Sequence, residues 1–300
     1  MSSSRNITTT FTYHCPRLLE DALHLLKEHD HAHVLAGGTD LLIQIRSGEL
    51  RPDALVEILR IEELKQIEHG NGMRIGAAVQ LYRLEEDEKL QGKYPALHEA
   101  IRSIAGVQIR NMATLAGNLC NASPIADTAT PLMVLRAELE ISWLDEKKEI
   151  RSRDVHIEDF FTGPGMTILE KGHLLTAVHI PEPAKNSGSS FIKICRVTLD
   201  LAKISCSSCV ERDGNTIQTL RVAVGGAAPT PVRAFHVEEQ LTGMEFSLEE
   251  VERAAKKVSG SIAPITDVRS TEDYRREVAS VIVRDAVVRA WERSGGEVST

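Results

Sequence analysis

Aromatic side chains are scarce: two Trp, four Tyr and six Phe make up 4% of the 300 residues. That scarcity excludes a surface of stacked rings of the kind that holds single-stranded nucleic acid. A surplus of positive charge is also missing. The 35 Lys and Arg are outnumbered by 43 Asp and Glu, for a formal net charge of −8, which gives nucleic acid and anionic membrane no electrostatic hold. No window reaches ~18 apolar residues, and the opening MSSSRNITTTFTYH has no apolar core, so neither a spanning helix nor a signal peptide is expected. The expected location is the cytoplasm.

Cysteine is sparse and scattered. Cys15, Cys120, Cys195, Cys206 and Cys209 are odd in number and far apart, which does not make a disulfide framework. Cys206 and Cys209 have CxxC spacing, but they sit in ISCSSCV, which reads as a strand. Alternation sends positions three apart to opposite faces, and no second CxxC completes a four-ligand set. The run from Glu28 to His33 (EHDHAH) could put His31 and His33 on one strand face, yet it reads better as a solvated helix end. No metal site is expected. Neither nucleotide fingerprint, GxGxxG nor GxxxxGK[ST], occurs.

What is present is ordinary globular material, 42% hydrophobic and 26% charged, long enough for more than one core. PRLLEDALHLLKEH carries Leu18, Leu19, Ala22, Leu25 and Leu26 on one helical face, with Pro16 placed in the first turn. HVLAGGTDLLIQIRSG reads as strand, glycine turn and short helix. ALVEIL, MRIGAAV and ELEISWL read as strands, and YPALHEAIRSIA as a helix. The first ~175 residues therefore mix short strands and helices in the α+β manner. Asn186 to Ser190 (NSGSS) reads as a polar connector marking a boundary. SFIKICR, AKISCSSCVER and TLRVAVGGAA follow as strands, the last two joined at the turn Asp213-Gly214-Asn215. Two amphipathic helices close the chain: SLEEVERAAKKVSGSI, with Ser247 and Glu250 as a capping box, and TEDYRREVASVIVRDAVVRAWERSG. Glu85 to Glu88 (EEDE) reads as a solvated charge run.

Two stretches gather small and polar residues next to strands. In AGGTDL, Gly37 and Gly38 can adopt positive φ and leave backbone N–H groups unshielded, making either a plain turn or an anion-binding concavity. In TLAGNLCNASPIAD, Thr114, Gly117, Asn118, Asn121, Ser123 and Asp127 supply hydroxyl, amide and carboxylate groups. Such a loop can be stabilised by Asx and ST turns alone. Two donor-rich loops of this kind could also meet around one diphosphate, with Asp127 suited to a sugar hydroxyl rather than a phosphate, because like charges repel.

AGGTDL, IRNMATLAGNLCNASPIAD, FIKICRVTLDLAKIS and STEDYRREV together resemble the FAD-binding subunit of the molybdenum hydroxylases, the xanthine dehydrogenase and carbon monoxide dehydrogenase family. The resemblance covers almost the whole chain in the right order. It implies an α+β protein with a two-subdomain FAD-binding fold of the vanillyl-alcohol-oxidase type and a C-terminal domain of antiparallel sheet covered by helices. The FAD-binding domain would occupy 1–180, with subdomains of about 1–60 and 61–180, and the C-terminal domain 187–293. It also implies that backbone amides in Leu35, Ala36, Gly37, Gly38, Thr39, Asp40 and Leu41, and in Thr114, Leu115, Ala116, Gly117 and Asn118, hold the FAD diphosphate. Ala116 departs from the family's glycine; alanine keeps the N–H but disfavours positive φ, which implies an altered contact there. Asp127 would hold the nucleotide's sugar, Ser123 would be a cofactor-binding residue of the same loop, Leu175 and Lys193 would lie near the flavin, and Leu201 against its ring. Arg196 and Asp200 match a scaffold pattern.

No catalytic residue is implied in this chain, since the cofactor carries the chemistry and the protein binds and orients it. The resemblance implies electron transfer within a heteromer. A molybdenum-cofactor large subunit would hydroxylate substrate and a [2Fe-2S] small subunit would relay electrons to FAD, which passes them to NAD or another acceptor. The alternative is a free-standing FAD-dependent oxidase or dehydrogenase of the same fold. That function would need acid–base residues in a substrate domain, and the C-terminal ~110 residues show no such cluster.

Overall fold

The computed structural model describes residues 10–298; most of the N-terminal stretch read above for a signal peptide lies outside them. The chain opens with β1 (Thr12–His14), α1 (Leu19–Glu28), β2 (Ala32–Leu35), α2 (Leu41–Ser47) and β3 (Ala54–Glu57). These strands form a small parallel sheet in the order β1-β3-β2. Helix α1 begins at Leu19, so Pro16 precedes its first turn rather than filling it. It buries Leu19, Ala22, Leu23 and Leu26, while Leu18 stays in solvent.

Next come β4 (Ile67–Gly70), β5 (Gly72–Gly76), α3 (Leu81–Glu85), α4 (Glu88–Lys93), α5 (Pro95–Ser103), α6 (Val107–Arg110), α7 (Leu115–Cys120), α8 (Ala129–Val134), β6 (Glu138–Leu144), β7 (Ile150–His156), β8 (Phe161–Gly163), β9 (Met166–Thr167) and β10 (Leu174–Ile180). Five of these strands make an antiparallel sheet ordered β4-β5-β10-β6-β7. The helices cover one of its faces, and a single apolar core runs from α1 through α5, α7 and α8 to β10. The expected solvated charge run is in part structural. Glu85 receives Arg110, whose guanidinium is buried, at 2.7 Å, and Asp87 caps α4 at the Leu90 N–H while pairing with His69.

The last third is β11 (Ser187–Ile194), β12 (Ile204–Asp213), β13 (Thr216–Gly225), β14 (Val232–Arg233), α9 (Phe235–Leu241), α10 (Leu248–Ala255) and α11 (Glu272–Arg293). The strands form an antiparallel sheet in sequence order with the helices packed on one face, as the expected fold class requires. NSGSS is not a free connector. From Ser187 it is strand, because Gly188 lets α11 press close: a Cβ there would lie 2.2 Å from the Ala290 carbonyl oxygen. The irregular segment is 181–186 instead. The Ser247 and Glu250 capping box does not form either; Ser247 makes no side-chain cap, and Glu250 pairs with Arg253. The apolar stripe of α11 is core, with Ile282, Val283, Ala286, Val287 and Ala290 buried on the sheet.

Strand β12 is buried on both faces, and its thiols diverge as the alternation rule predicts. Cys206 lies in the C-terminal core and Cys209 against the first core. The face turned to the first core is small and polar, and Thr130 Oγ1 meets Ser207 Oγ across the seam at 3.0 Å. Arg221 donates to the Val134 carbonyl at 2.6 Å, and the Gly226 N–H to the Pro124 carbonyl at 2.8 Å.

Candidate functional site

At the end of β2 the chain turns through Ala36, Gly37, Gly38, Thr39 and Asp40 into α2. Gly38 holds a φ of +67°, a conformation that glycine adopts without the cost of a Cβ. Gly37 has a different reason. A Cβ there would sit 2.1 Å from the Met112 carbonyl oxygen and 2.7 Å from Ala113 Cα. The first glycine loop is thus pressed against the peptide that leads into Thr114, and a hydrogen bond from Gln44 to Asn121 at 3.4 Å ties α2 to the second loop. The two donor-rich loops do meet. Among the described residues, no partner takes the backbone N–H groups of Gly37, Gly38, Thr39 or Asp40. Four donors without a partner on one tight turn are the kind of arrangement that can receive an anion.

The second loop is held from below. Arg110 donates to the Ile104 and Ala105 carbonyls at 3.0 and 2.8 Å while bound to Glu85, and Leu81 N–H takes the Ala113 carbonyl at 2.8 Å. Thr114 then caps α7 by accepting the Gly117 N–H at 3.0 Å. Asn118 accepts the Thr128 hydroxyl at 2.6 Å, which fixes the path toward Asp127. Ala116 lies within α7, buried at 4% exposure, with no positive φ. The position is helical and needs no positive φ, and the methyl is part of the core.

Asp127 and Lys193 are brought together across the seam. The carboxylate Oδ2 receives Lys193 Nζ at 2.7 Å, and the same ammonium donates to the Ser103 carbonyl at 3.1 Å. Both side chains are more than nine-tenths buried. Burial pushes the Asp127 carboxyl up to about 6, against the pull of Lys193. Its Oδ1 is buried with no hydrogen-bond partner, and an unsatisfied buried acceptor costs ~1–3 kcal/mol. A ligand hydroxyl or N–H donor would remove that cost. Sequence reading named both residues but not their pairing, which no local pattern encodes.

The remaining expected residues divide. Leu201 stands exposed, with Val197 and Leu199, on the turn that leaves β11 just after Lys193. Ser123 accepts the Ile125 N–H at 3.4 Å within the loop before Asp127, where Ala122 holds a φ of +46°. Leu35 and Leu41 flank the glycine turn. Leu175 is different: the residue is 1% exposed, inside the core on β10, which is paired on both sides. Arg196 and Asp200 form a surface ion pair at 3.5 Å. Sequence reasoning missed the Met112–Ala113 peptide and the exposed apolar residues Ile43 and Met112 on the two facing segments. The glycine turn can hold an anion on backbone amides and Asp127 can accept a donor, while Leu201 is an exposed apolar residue on the turn after β11.

Residues 9–183 match the family model described as the FAD binding domain in molybdopterin dehydrogenase, and residues 189–290 that of the CO dehydrogenase flavoprotein C-terminal domain. The chain is 36% identical over 292 residues to a xanthine dehydrogenase FAD-binding subunit of Escherichia coli O157:H7, covering 96% of this chain and 98% of that one. It is 33% identical to a glyceraldehyde dehydrogenase medium chain of Sulfolobus acidocaldarius, covering 92% and 96%. The solved structure of carbon monoxide dehydrogenase from Hydrogenophaga pseudoflava superposes with a TM-score of 0.91 at 31% identity, covering 96% of this chain and 99% of that one.

Proposed function

The chain belongs to the FAD-binding subunits of the molybdenum hydroxylases, and from that premise we propose that it is the electron-transfer subunit of a heteromeric, xanthine dehydrogenase-like enzyme. It is an oxidoreductase subunit and its cofactor is FAD. In the proposal a [2Fe-2S] small subunit delivers electrons and a molybdenum-cofactor large subunit hydroxylates the substrate. NAD or another acceptor receives the electrons, and the complex works in the cytoplasm. Among the described residues, no helix is long and apolar enough to cross a membrane. The proposed division of labour places the FAD-binding domain at 1–180 and the C-terminal domain at 187–293.

The observation that carries the reading is the contact of the Gly37 turn with the Met112–Ala113 peptide. It sets unpartnered backbone donors beside α7, an arrangement that supports diphosphate binding there. In the proposal Ala36 to Asp40 and Thr114 to Asn118 bind the diphosphate. Asp127 and Lys193 orient the rest of the cofactor, and Leu201 shields it from water. FAD supplies the redox chemistry when bound; the chain supplies position, charge and exclusion of solvent, and no residue of it needs to act as nucleophile or base. The exposed apolar residues Ile43, Val107, Ile109 and Met112 support a surface completed by cofactor and partner subunits.

The test is purification of the chain with and without the two partner subunits. Flavin absorption bands in the chain alone, and its reduction by substrate only in the three-subunit complex, are the expected result. Reduction of the isolated chain's flavin by a small-molecule substrate would instead establish the free-standing oxidase or dehydrogenase.

A further inference from the structure

On the sheet face turned away from the helices, β6 and β7 place Glu140 and Asp154 directly opposite one another. Two carboxylates in such a cross-strand pair repel and weaken the sheet. Glu138 adds a third acid two residues along. The nearest fixed cation is Arg74, whose Nη2 is 3.4 Å from both Glu140 oxygens, longer than a tight charge-assisted pair of ~2.7–2.9 Å. Into the gap β10 brings His179, with Nε2 at 3.1 Å from Glu140 Oε2 and 3.9 Å from Asp154 Oδ1.

We propose that Glu140, Asp154 and His179 form a binding site for a zinc-class divalent cation that clips β10, β6 and β7 together. The three ligand atoms lie within 4.8 Å of one another. A zinc ion bound at ~2.0–2.2 Å sets tetrahedral ligands roughly 3.3–3.5 Å apart. The His–Glu distance is already close to that, and the exposed Asp154 side chain is free to make the remaining adjustment. The second carboxylate oxygen, Glu140 Oε1, accepts the Thr176 hydroxyl at 2.8 Å. Thr176 therefore orients the first ligand through its other oxygen, as outer-sphere partners do in built metal sites. One imidazole with two carboxylates suits zinc, cobalt or nickel better than calcium or magnesium, which ask for six or more oxygens or an octahedral shell. Of the three ligands, His179 also lines a surface cleft of about 600 Å³, together with His69, Arg74, Glu138 and His156. Water can complete the coordination.

The probe is zinc chloride, titrated into the FAD-loaded full chain without a polyhistidine tag, against a chromophoric chelator. About one equivalent should bind, and His179→Ala and Asp154→Asn should each weaken it at least ~tenfold. Asp154 is exposed, so the second variant keeps the fold, and Glu138→Gln serves as the neighbouring control with unchanged binding. Zinc should raise the melting temperature of the wild type and not that of Asp154→Asn. Absence of zinc binding, or binding left intact in both ligand variants, would overturn the site and leave the cluster as a surface ion-pair network.

Discussion

Acidification should release the flavin, and Asp127 should be the group that releases it. The carboxyl is pushed up to about 6 by burial, with Lys193 the charged group that opposes the shift. Its unpartnered Oδ1 gains an acceptor's full value only when ionised, so a donor from the cofactor favours the carboxylate and lowers its pKa in the complex. Flavin then binds the ionised form. Apparent Kd should be flat above about pH 7 and rise as pH falls through 6, reaching about tenfold (~1.4 kcal/mol) at pH 5. Fluorescence-quenching titrations of FAD at constant ionic strength measure this directly. Calorimetry in buffers of different ionisation enthalpy should show proton release on binding near pH 6. Asp127→Asn should bind more weakly by ~0.5–1.5 kcal/mol, without the slope.

The effect on folding has the opposite sign. A native carboxyl pKa above the unfolded value of ~3.9 adds stability that is complete below about pH 4 and lost as pH rises through about 6. The loss is about 3 kcal/mol for a shift of this size, read as wild type minus Asp127→Asn in the flavin-free protein. A wild-type affinity that does not change between pH 5 and 7.5, or the same slope in Asp127→Asn, would refute the reasoning.

Three further outcomes are expected. Gly37→Ala forces a methyl group against the Met112 carbonyl, so it should part the two loops and weaken FAD binding at least ~tenfold, as read by flavin retained after gel filtration. Ala116→Gly should leave FAD affinity unchanged and lower stability by ~1 kcal/mol through lost helix propensity, seen in denaturant melts; tighter FAD binding would restore the case for a glycine-specific contact. Glu85→Gln leaves the buried Arg110 guanidinium without its counter-charge and should cost about 3 kcal/mol, shown by a lower denaturant midpoint at unchanged slope.

The strands and helices were legible wherever periodicity was strong: α1, β2, β3, β6, α5 and the last three long strands fall where their patterns put them. The misreadings share a cause. NSGSS looks like a linker because glycine and serine are turn formers, yet here their smallness lets α11 lie on β11. Glu85 looks solvated because a charge run normally is, but its partner Arg110 arrives from another helix. Ala116 looks like a defect only when measured against a glycine; its helical setting is a property of the three-dimensional turn capped by Thr114. The site itself was readable as two donor-rich loops and one acid. The ion pair of Asp127 with Lys193, the peptide facing Gly37, and the cross-strand grouping of Glu140, Asp154 and His179 all depend on register between distant segments. EHDHAH and CSSC drew attention as ligand patterns because their residues are neighbours in sequence, which is not what gathers side chains on a sheet.

The Asp127–Lys193 pair joins residues 66 positions apart and lies across the seam between the two cores, which bears on how the protein is made. A nascent chain that has emerged only as far as β10 displays both glycine loops, but its acid lacks the counter-ion that lets it be buried. Lys193 arrives with β11, which pairs with β12 and packs on α5 and, through Gly188, on α11. Burial of Asp127 as an ion pair therefore waits on strands that follow β10 in the chain. A fragment ending at β10 should retain less flavin than the full chain, read by absorbance after gel filtration.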